Sequence, residues 1–260
     1  MQKLRYIFLV FGFTCFAQQE VKARLKDSTQ LKAEQLYGAD NFGTLYYTKD
    51  STTFLKKTKD TTIAYANFQL GEITDANTFN PLKINLFYKD FNTVIVLDNR
   101  LAEIAKVDFN TMQPYKNISF IAAGFSNTLW VFNQDRQWIE LYDYKTNTVK
   151  RQTIPVQSSV LDLKSDYNYC YLLTERYLYI YNYFGSLIGK HKNEGFESLA
   201  FSKAHLVLKK KNQLFILQKN EAKIKAIKHP TILIHQFLVT NETLYIYNDK
   251  LLQHYQLKIE

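Results

Sequence analysis

Arg176-Tyr177-Leu178-Tyr179-Ile180-Tyr181-Asn182 is the stretch that decides the fold. It returns almost unchanged as Thr243-Leu244-Tyr245-Ile246-Tyr247-Asn248. Successive side chains of a strand point to opposite faces, so Leu178 and Ile180 share one face and Tyr179 and Tyr181 the other. Both faces are apolar. A strand of an open sandwich usually leaves one face to water and alternates apolar with polar. This one predicts a sheet covered on both sides.

Looser copies run through the chain. They begin at Phe54, Ile104, Ile139, Leu178, Leu214 and Leu244, at intervals of 50, 35, 39, 36 and 30 residues. Each has an apolar partner just upstream: Thr44–Thr48, Thr93–Leu97, Thr128–Phe132, Tyr169–Leu173, His205–Leu208 and Gln236–Val239. The few polar residues between partners are a hairpin spacing. A third element precedes each hairpin, among them Leu36–Ala39, Ile84–Tyr88, Ile118–Ala123 and Ile232–Ile234. A weaker, more polar fourth follows, as in Thr61–Asn67, Pro114-Tyr115, Thr148–Thr153 and Lys223–Ile227. No long segment carries apolar residues at i, i+3, i+4 and i+7, so helix should be scarce. Composition agrees: 19 Tyr and 19 Phe stand against 8 Gly and 4 Pro, a mix suited to pleated, half-buried surfaces.

Four strands per unit of about 40 residues are the signature of propeller blades. The prediction is an all-β, six-bladed β-propeller of four-stranded antiparallel blades over residues 35–260. A seventh blade is the alternative. The stretch Leu70–Pro81 reads as a long loop or the remnant of another strand. Residues 18–34 read as a polar leader or as an outer strand that closes the ring. The segment Gly38-Ala39-Asp40-Asn41-Phe42-Gly43-Thr44-Leu45-Tyr46-Tyr47 resembles the hairpin of NHL and related propeller repeats, where an Asp and a Gly precede a Leu-Tyr strand. Asp90-Phe91-Asn92-Thr93 and Asp166-Tyr167-Asn168-Tyr169 keep part of it. No unit has the Gly-His and Trp-Asp pair of WD40 repeats. The resemblance implies a fold and no activity.

The first seventeen residues read as a secretory signal. Lys3 and Arg5 precede an apolar run, Tyr6–Phe13, and Cys15-Phe16-Ala17 places small residues at −3 and −1 of a cleavage after Ala17. Lipidation at Cys15 is the alternative, though Gly12-Phe13-Thr14 suits it poorly. Cleavage lowers the formal charge from +9 to +7, because Lys3 and Arg5 leave with the signal. Cys170 then remains alone, so no intrachain disulfide can form. Nothing later has the length and apolarity of a membrane-spanning helix.

Few residues carry chemistry. Gly124-Phe125-Ser126-Asn127 and Gly185-Ser186-Leu187-Ile188-Gly189 lack the spacing of a nucleophile elbow. The five histidines, His191, His205, His229, His235 and His254, lack metal-ligand spacing. Cys170 reads as a buried structural thiol. Asp40, Asp90 and Asp166 recur at turns that the repeat makes equivalent. They form Asx turns, or they converge on the channel as the ligands of a calcium-dependent lactonase propeller do. The one charge asymmetry is Lys203, Lys209, Lys210, Lys211, Lys219, Lys223, Lys225 and Lys228, opposed by Glu221 alone. It reads as a patch for an anionic lipid, glycan or protein, or as a solvated rim whose lysines keep an edge strand unpaired.

These observations favour an exported, non-enzymatic scaffold in a bacterial cell envelope, most simply the periplasm, whose partner is another envelope protein. No cofactor and no nucleic acid are expected. A metal-dependent lactonase or hydrolase is the alternative from the enzyme class, and binding of anionic lipid or glycan through the lysines is the third reading.

Overall fold

The computed structural model describes residues 21–202, 205–218 and 224–259. The predicted signal, with Cys15, lies outside them. Among the described residues nearly all regular structure is strand, and Phe109–Thr111 adds one 3-10 turn.

Strand β1 (Val21–Gln30) comes first among the described residues. One sheet follows from β2 (Gln35–Ala39), β3 (Leu45–Asp50), β4 (Thr53–Lys57) and β5 (Thr62–Ala66). The next holds β6 (Asp75–Asn77), β7 (Ile84–Tyr88), β8 (Thr93–Leu97) and β9 (Glu103–Asp108). The third holds β10 (Ile118–Ala123), β11 (Thr128–Asn133), β12 (Trp138–Asp143) and β13 (Thr148–Gln152). The fourth holds β14 (Val160–Ser165), β15 (Tyr169–Thr174), β16 (Tyr177–Asn182) and β17 (Leu187–Lys192). Each is a four-stranded antiparallel meander in sequence order.

The rest forms one eight-stranded sheet. Strands β18 (Ser198–Phe201), β19 (His205–Lys210), β20 (Gln213–Gln218) and β21 (Ile224–Lys228) make one half. Strands β22 (Gln236–Thr240), β23 (Thr243–Tyr247) and β24 (Leu251–Lys258) make the other. β1 joins the halves, in the order β18-β19-β20-β21-β1-β24-β23-β22. It runs antiparallel to β24 from Lys22↔Lys258 to Gln30↔Leu251. Val21 and Lys22 also pair, in parallel, with Ile227 and Lys228 of β21. The strands β2, β6, β10, β14, β18 and β22 neighbour one another in a closed cycle.

Apolar clusters join each group of strands to the next. Tyr46 and Phe54 pack on Ile84, Leu86 and Ile95. Val94 and Val96 meet Ile121, Leu129 and Tyr142. Ala122, Trp130 and Leu141 meet Cys170, Leu172 and Tyr181. Leu173 and Leu178 meet Leu206, Leu208 and Leu217. Val207 and Ile216 meet Val239 and Leu244, and Tyr245 and Tyr247 meet Leu36 and Tyr47. The opening stretch shows the principle. In β16, Leu178 and Ile180 face one neighbouring sheet and Tyr179 and Tyr181 the other. In β23, Leu244 and Ile246 go one way and Tyr245 and Tyr247 the other. Sheets buried on both sides are what the two apolar faces predict.

Two units are shifted by one strand from the sequence alignment. In the second sheet Asp75–Asn77 is itself the inner strand. Ile84–Tyr88 is therefore second, and the run from Ile104 is outermost. Pro114-Tyr115 lies in no strand. In the last unit Ile232–Ile234 is not a strand either, so β23 is second from the inner edge whereas β16 is third. The physical reason is that second and third strands share one environment, covered on both faces, and so share a composition. β21 also departs from a polar rim: Lys225 and Ile227 are buried, and β1 covers the strand's end.

Candidate functional site

Five of the six inner strands, β2, β6, β14, β18 and β22, line a central cavity of about 560 Å³, bounded among others by Tyr37, Asp75, Lys164, Phe201, Gln236 and Leu238. This lies within the usual range for small-ligand and side-chain pockets, about 300–1,000 Å³.

At one mouth of this cavity the loops that leave the inner strands come together. Thr240 Oγ1 donates to Ala39 O at 2.6 Å, and Asn241 Nδ2 donates to Asn41 Oδ1 at 2.8 Å. Ser165 Oγ donates to Ala123 O. These loops present aromatic rings. Asp40 Oδ1 accepts from the backbone N–H of Phe42 and Thr44 at 2.8 and 2.9 Å. Asn77 Oδ1 accepts from Phe79 N at 3.2 Å. Asp166 Oδ1 accepts from the N–H groups of Asn168 and Tyr169 at 2.8 and 2.7 Å. Each Asx turn satisfies the backbone locally and leaves the ring beside it, Phe42, Phe79 or Tyr167, projecting from a fixed loop. Phe125 is held differently: Gly124 N donates to Thr128 O, and Thr128 Oγ1 donates to Phe125 O.

Three of these rings touch in series and reach a fourth, Phe201 at the end of β18. Phe125 lies 5.9 Å from Tyr167, Tyr167 4.9 Å from Phe79, and Phe79 5.4 Å from Phe201. Tyr183 continues the row at 6.1 Å from Phe125, and Phe184 follows at 5.8 Å. Phe42 is 92% exposed, Phe184 64% and Phe125 54%. A smaller hollow of about 240 Å³ opens beside Phe125 and Tyr183, walled by Asp143, Lys150 and Arg151.

Deeper in the cavity lies a charge cluster. Lys164 Nζ is 3.4 Å from Asp162 Oδ1 and 3.7 Å from Asp75 Oδ2. Burial works to lower the Lys164 pKa, but the two carboxylates outweigh it and hold the ammonium above the ordinary lysine value. Burial pushes Asp75 up, with Lys164 opposing and Asp162 adding to the rise. Asp162 Oδ2 also accepts from Leu199 N at 2.9 Å and so stitches β14 to β18.

The aspartates singled out in the sequence separate. Asp40 and Asp166 follow inner strands at the aromatic mouth, where each caps its own turn. Asp90 follows β7, the second strand of its sheet, and is not their equivalent. The cause is the same one-strand shift. Among the described residues no three His, Cys, Asp or Glu side chains form a group able to hold a metal ion. Cys170 is fully buried, and burial drives its thiol pKa well up.

Of the eight lysines, Lys203, Lys219 and Lys223 lie outside the described residues. Lys209, Lys210 and Lys211 sit at the β19–β20 turn. Lys209 Nζ lies 3.2 Å from the Glu197 carboxylate, a counter-charge that the sequence spacing hid. The Lys210 stem packs over Gly195. Lys225 is buried within the ladder, opposite Ile216, and Lys228 pairs with Lys22 in the β21–β1 register. Sequence reasoning passed over the aromatic loops. Their signal is an Asx or Gly closing the inner strand, then an aromatic residue within two positions.

No known family model matches the sequence, and no curated protein matches it. Solved structures do. A catalytically inactive virginiamycin B lyase from Staphylococcus aureus, with quinupristin, superposes with a TM-score of 0.62 at 10% identity over 95% of this chain and 98% of its own. The Pan2 WD40 domain of Neurospora crassa gives 0.59 at 11%, over 88% and 76%. BamB from Moraxella catarrhalis gives 0.52 at 12%, over 88% and 72%. At such identities the likeness is one of fold. The chain is a β-propeller repeat protein of four-stranded antiparallel sheets.

Proposed function

We propose that this chain is an exported, non-enzymatic scaffold of a bacterial cell envelope that binds a partner protein through the aromatic mouth of its ring. The carrying observation is the row Phe79, Tyr167, Phe125, Tyr183 and Phe184, with the exposed Phe42 on a separate loop at the same end of the cavity. Exposed apolar clusters of this kind mark interaction sites, and aromatic anchors dominate interface energetics. Rigid loops lose little conformational entropy on binding.

The closed cycle of inner strands supports a count of six blades. In this reading the eight-stranded sheet is two blades, β18–β21 and β22–β24, and β1 is the outermost strand of the second. Pairing of the first strand with the last then closes the ring without a disulfide. The signal read in residues 1–17 would direct export.

Crosslinking in intact cells, then identification of captured proteins, tests the reading. The triple variant F42A/F79A/F125A should lose a partner that the natural chain captures, and both should fractionate with the envelope. Capture of the same proteins by both chains would refute the assignment of this mouth.

A further inference from the structure

Resting on that interaction reading, we propose that the central cavity receives a basic side chain, arginine or lysine, from the partner protein, with its apolar neighbours seated on the aromatic mouth.

Charge complementarity carries the argument. The chain as a whole is strongly basic, at +9, yet the cavity is not. Asp40 and Asp75 line it, Asp162 sits against Lys164, and among the described residues Lys164 is the one lysine or arginine in its wall. His235 is also in the wall, 2.6 Å from its own carboxylate, Asp249. Three carboxylates, two of them in the wall, therefore stand against one ammonium, which Asp75 and Asp162 share. That ammonium does not satisfy both of its neighbours. Asp75 Oδ1 accepts from Ala76 N at 2.8 Å, while Oδ2 has Lys164 only at 3.7 Å, outside hydrogen-bond range. With only this long ion pair on Oδ2, Asp75 is the carboxylate that a second cation fits. Burial is what chiefly raises the Asp75 pKa, with Lys164 opposing the rise and Asp162 adding to it. Ser202, in the same wall, is buried with a hydroxyl that finds no partner among the described residues.

The geometry suits a side chain rather than a free ion. Asp75 lies two residues inside the end of β6, roughly 7 Å down the channel at about 3.3 Å per residue. An extended arginine or lysine reaches that depth while its backbone stays at the mouth. Phe79, Tyr167 and Phe201 stand along the way. Aromatic faces stabilise a passing guanidinium, which is weakly hydrated and planar. An acidic partner residue would meet the same field with the wrong sign.

The test uses three acetylated, amidated tripeptides, Phe-Arg-Phe, Phe-citrulline-Phe and Phe-Glu-Phe, titrated into the whole chain and followed by NMR or calorimetry. Citrulline keeps the shape of arginine and removes its charge. The arginine peptide should bind about tenfold or more tightly than the citrulline peptide, a difference of about 1.4 kcal/mol. The glutamate peptide should bind most weakly. D75N should erase the arginine advantage and leave citrulline binding unchanged, while its thermal unfolding shows that it folds. Equal affinity for arginine and citrulline overturns the proposal, as does an arginine advantage that survives D75N. No measurable arginine-peptide binding up to about 10 mM, equivalent to less than about 3 kcal/mol, overturns it too. Should the peptide result fail while crosslinking still depends on Phe42, Phe79 and Phe125, the interaction surface stands and only the basic-residue inference falls. Should crosslinking lose that dependence, the interaction reading falls whatever the peptides do.

Discussion

Replacing Lys164 by Met should cost stability and make what remains depend on pH. Lys164 Nζ stands 3.4 Å from Asp162 and 3.7 Å from Asp75. Removing one member of a buried ionic cluster typically costs about 3–5 kcal/mol, because the remaining charge is left uncompensated. Here the side chains keep some contact with cavity solvent: Lys164 is 29% exposed, Asp75 25% and Asp162 13%. Screening reduces the cost to about 2 kcal/mol. At roughly 2–4 °C per kcal/mol for a chain of this size, K164M should melt about 4–8 °C below the natural chain. The sign of the pH effect follows from proton counting. Without the ammonium, Asp75 and Asp162 repel, and the folded pair keeps a proton that the unfolded chain has already released. The folded state then binds more protons, so the stability of K164M rises as pH falls from 7 toward 4. In the natural chain the raised lysine pKa contributes stability that is intact below its ordinary value of 10.5 and is lost only as pH climbs beyond that. Calorimetry or urea unfolding at pH 5 and pH 7 reads both effects. K164M/D75N should recover most of the loss, since one carboxylate then remains with its Leu199 hydrogen bond. If K164M melts with the natural chain at pH 7 and shows the same pH dependence, Lys164 does not neutralise this cluster.

Two further changes test the scaffold around the site. A Cβ added at Gly124 would sit 2.6 Å from the backbone oxygen of Thr128, so G124A should force the Phe125 loop to move and cost about 1–3 kcal/mol in urea unfolding; a neutral result would show that the loop yields freely. Cys170 is buried, with its thiol pKa well raised, so a thiol reagent should label the native chain at least a hundredfold more slowly than the urea-unfolded chain; comparable rates would contradict the packing of β15.

The repeat, the scarcity of helix and the double-faced burial of the strands are written in the sequence itself. Leu178-Tyr179-Ile180-Tyr181 has no polar face, so its sheet has to be covered on both sides. What local pattern could not settle is position within the sheet. Second and third strands are both sandwiched, so β16 and β23 carry nearly the same residues in different places. The three-residue inner strand Asp75–Asn77 has no apolar signature, because one side of it faces the cavity. For Val21–Gln30 the sequence left a polar leader and a ring-closing outer strand both open: most of its side chains are exposed, and what holds it is backbone pairing to β24, a partner more than 200 residues away. The candidate site depends on tertiary structure more strongly still. Phe42, Phe79, Phe125 and Tyr167 are spread over four units and look like ordinary loop residues one by one. Only closure of the ring brings their loops to a single mouth, and only there do Asp75, Asp162 and Lys164 share a field. Periodicity determined the scaffold because burial is a local demand on each strand. The site was decided by the ring, because its charges and rings meet only across the central cavity.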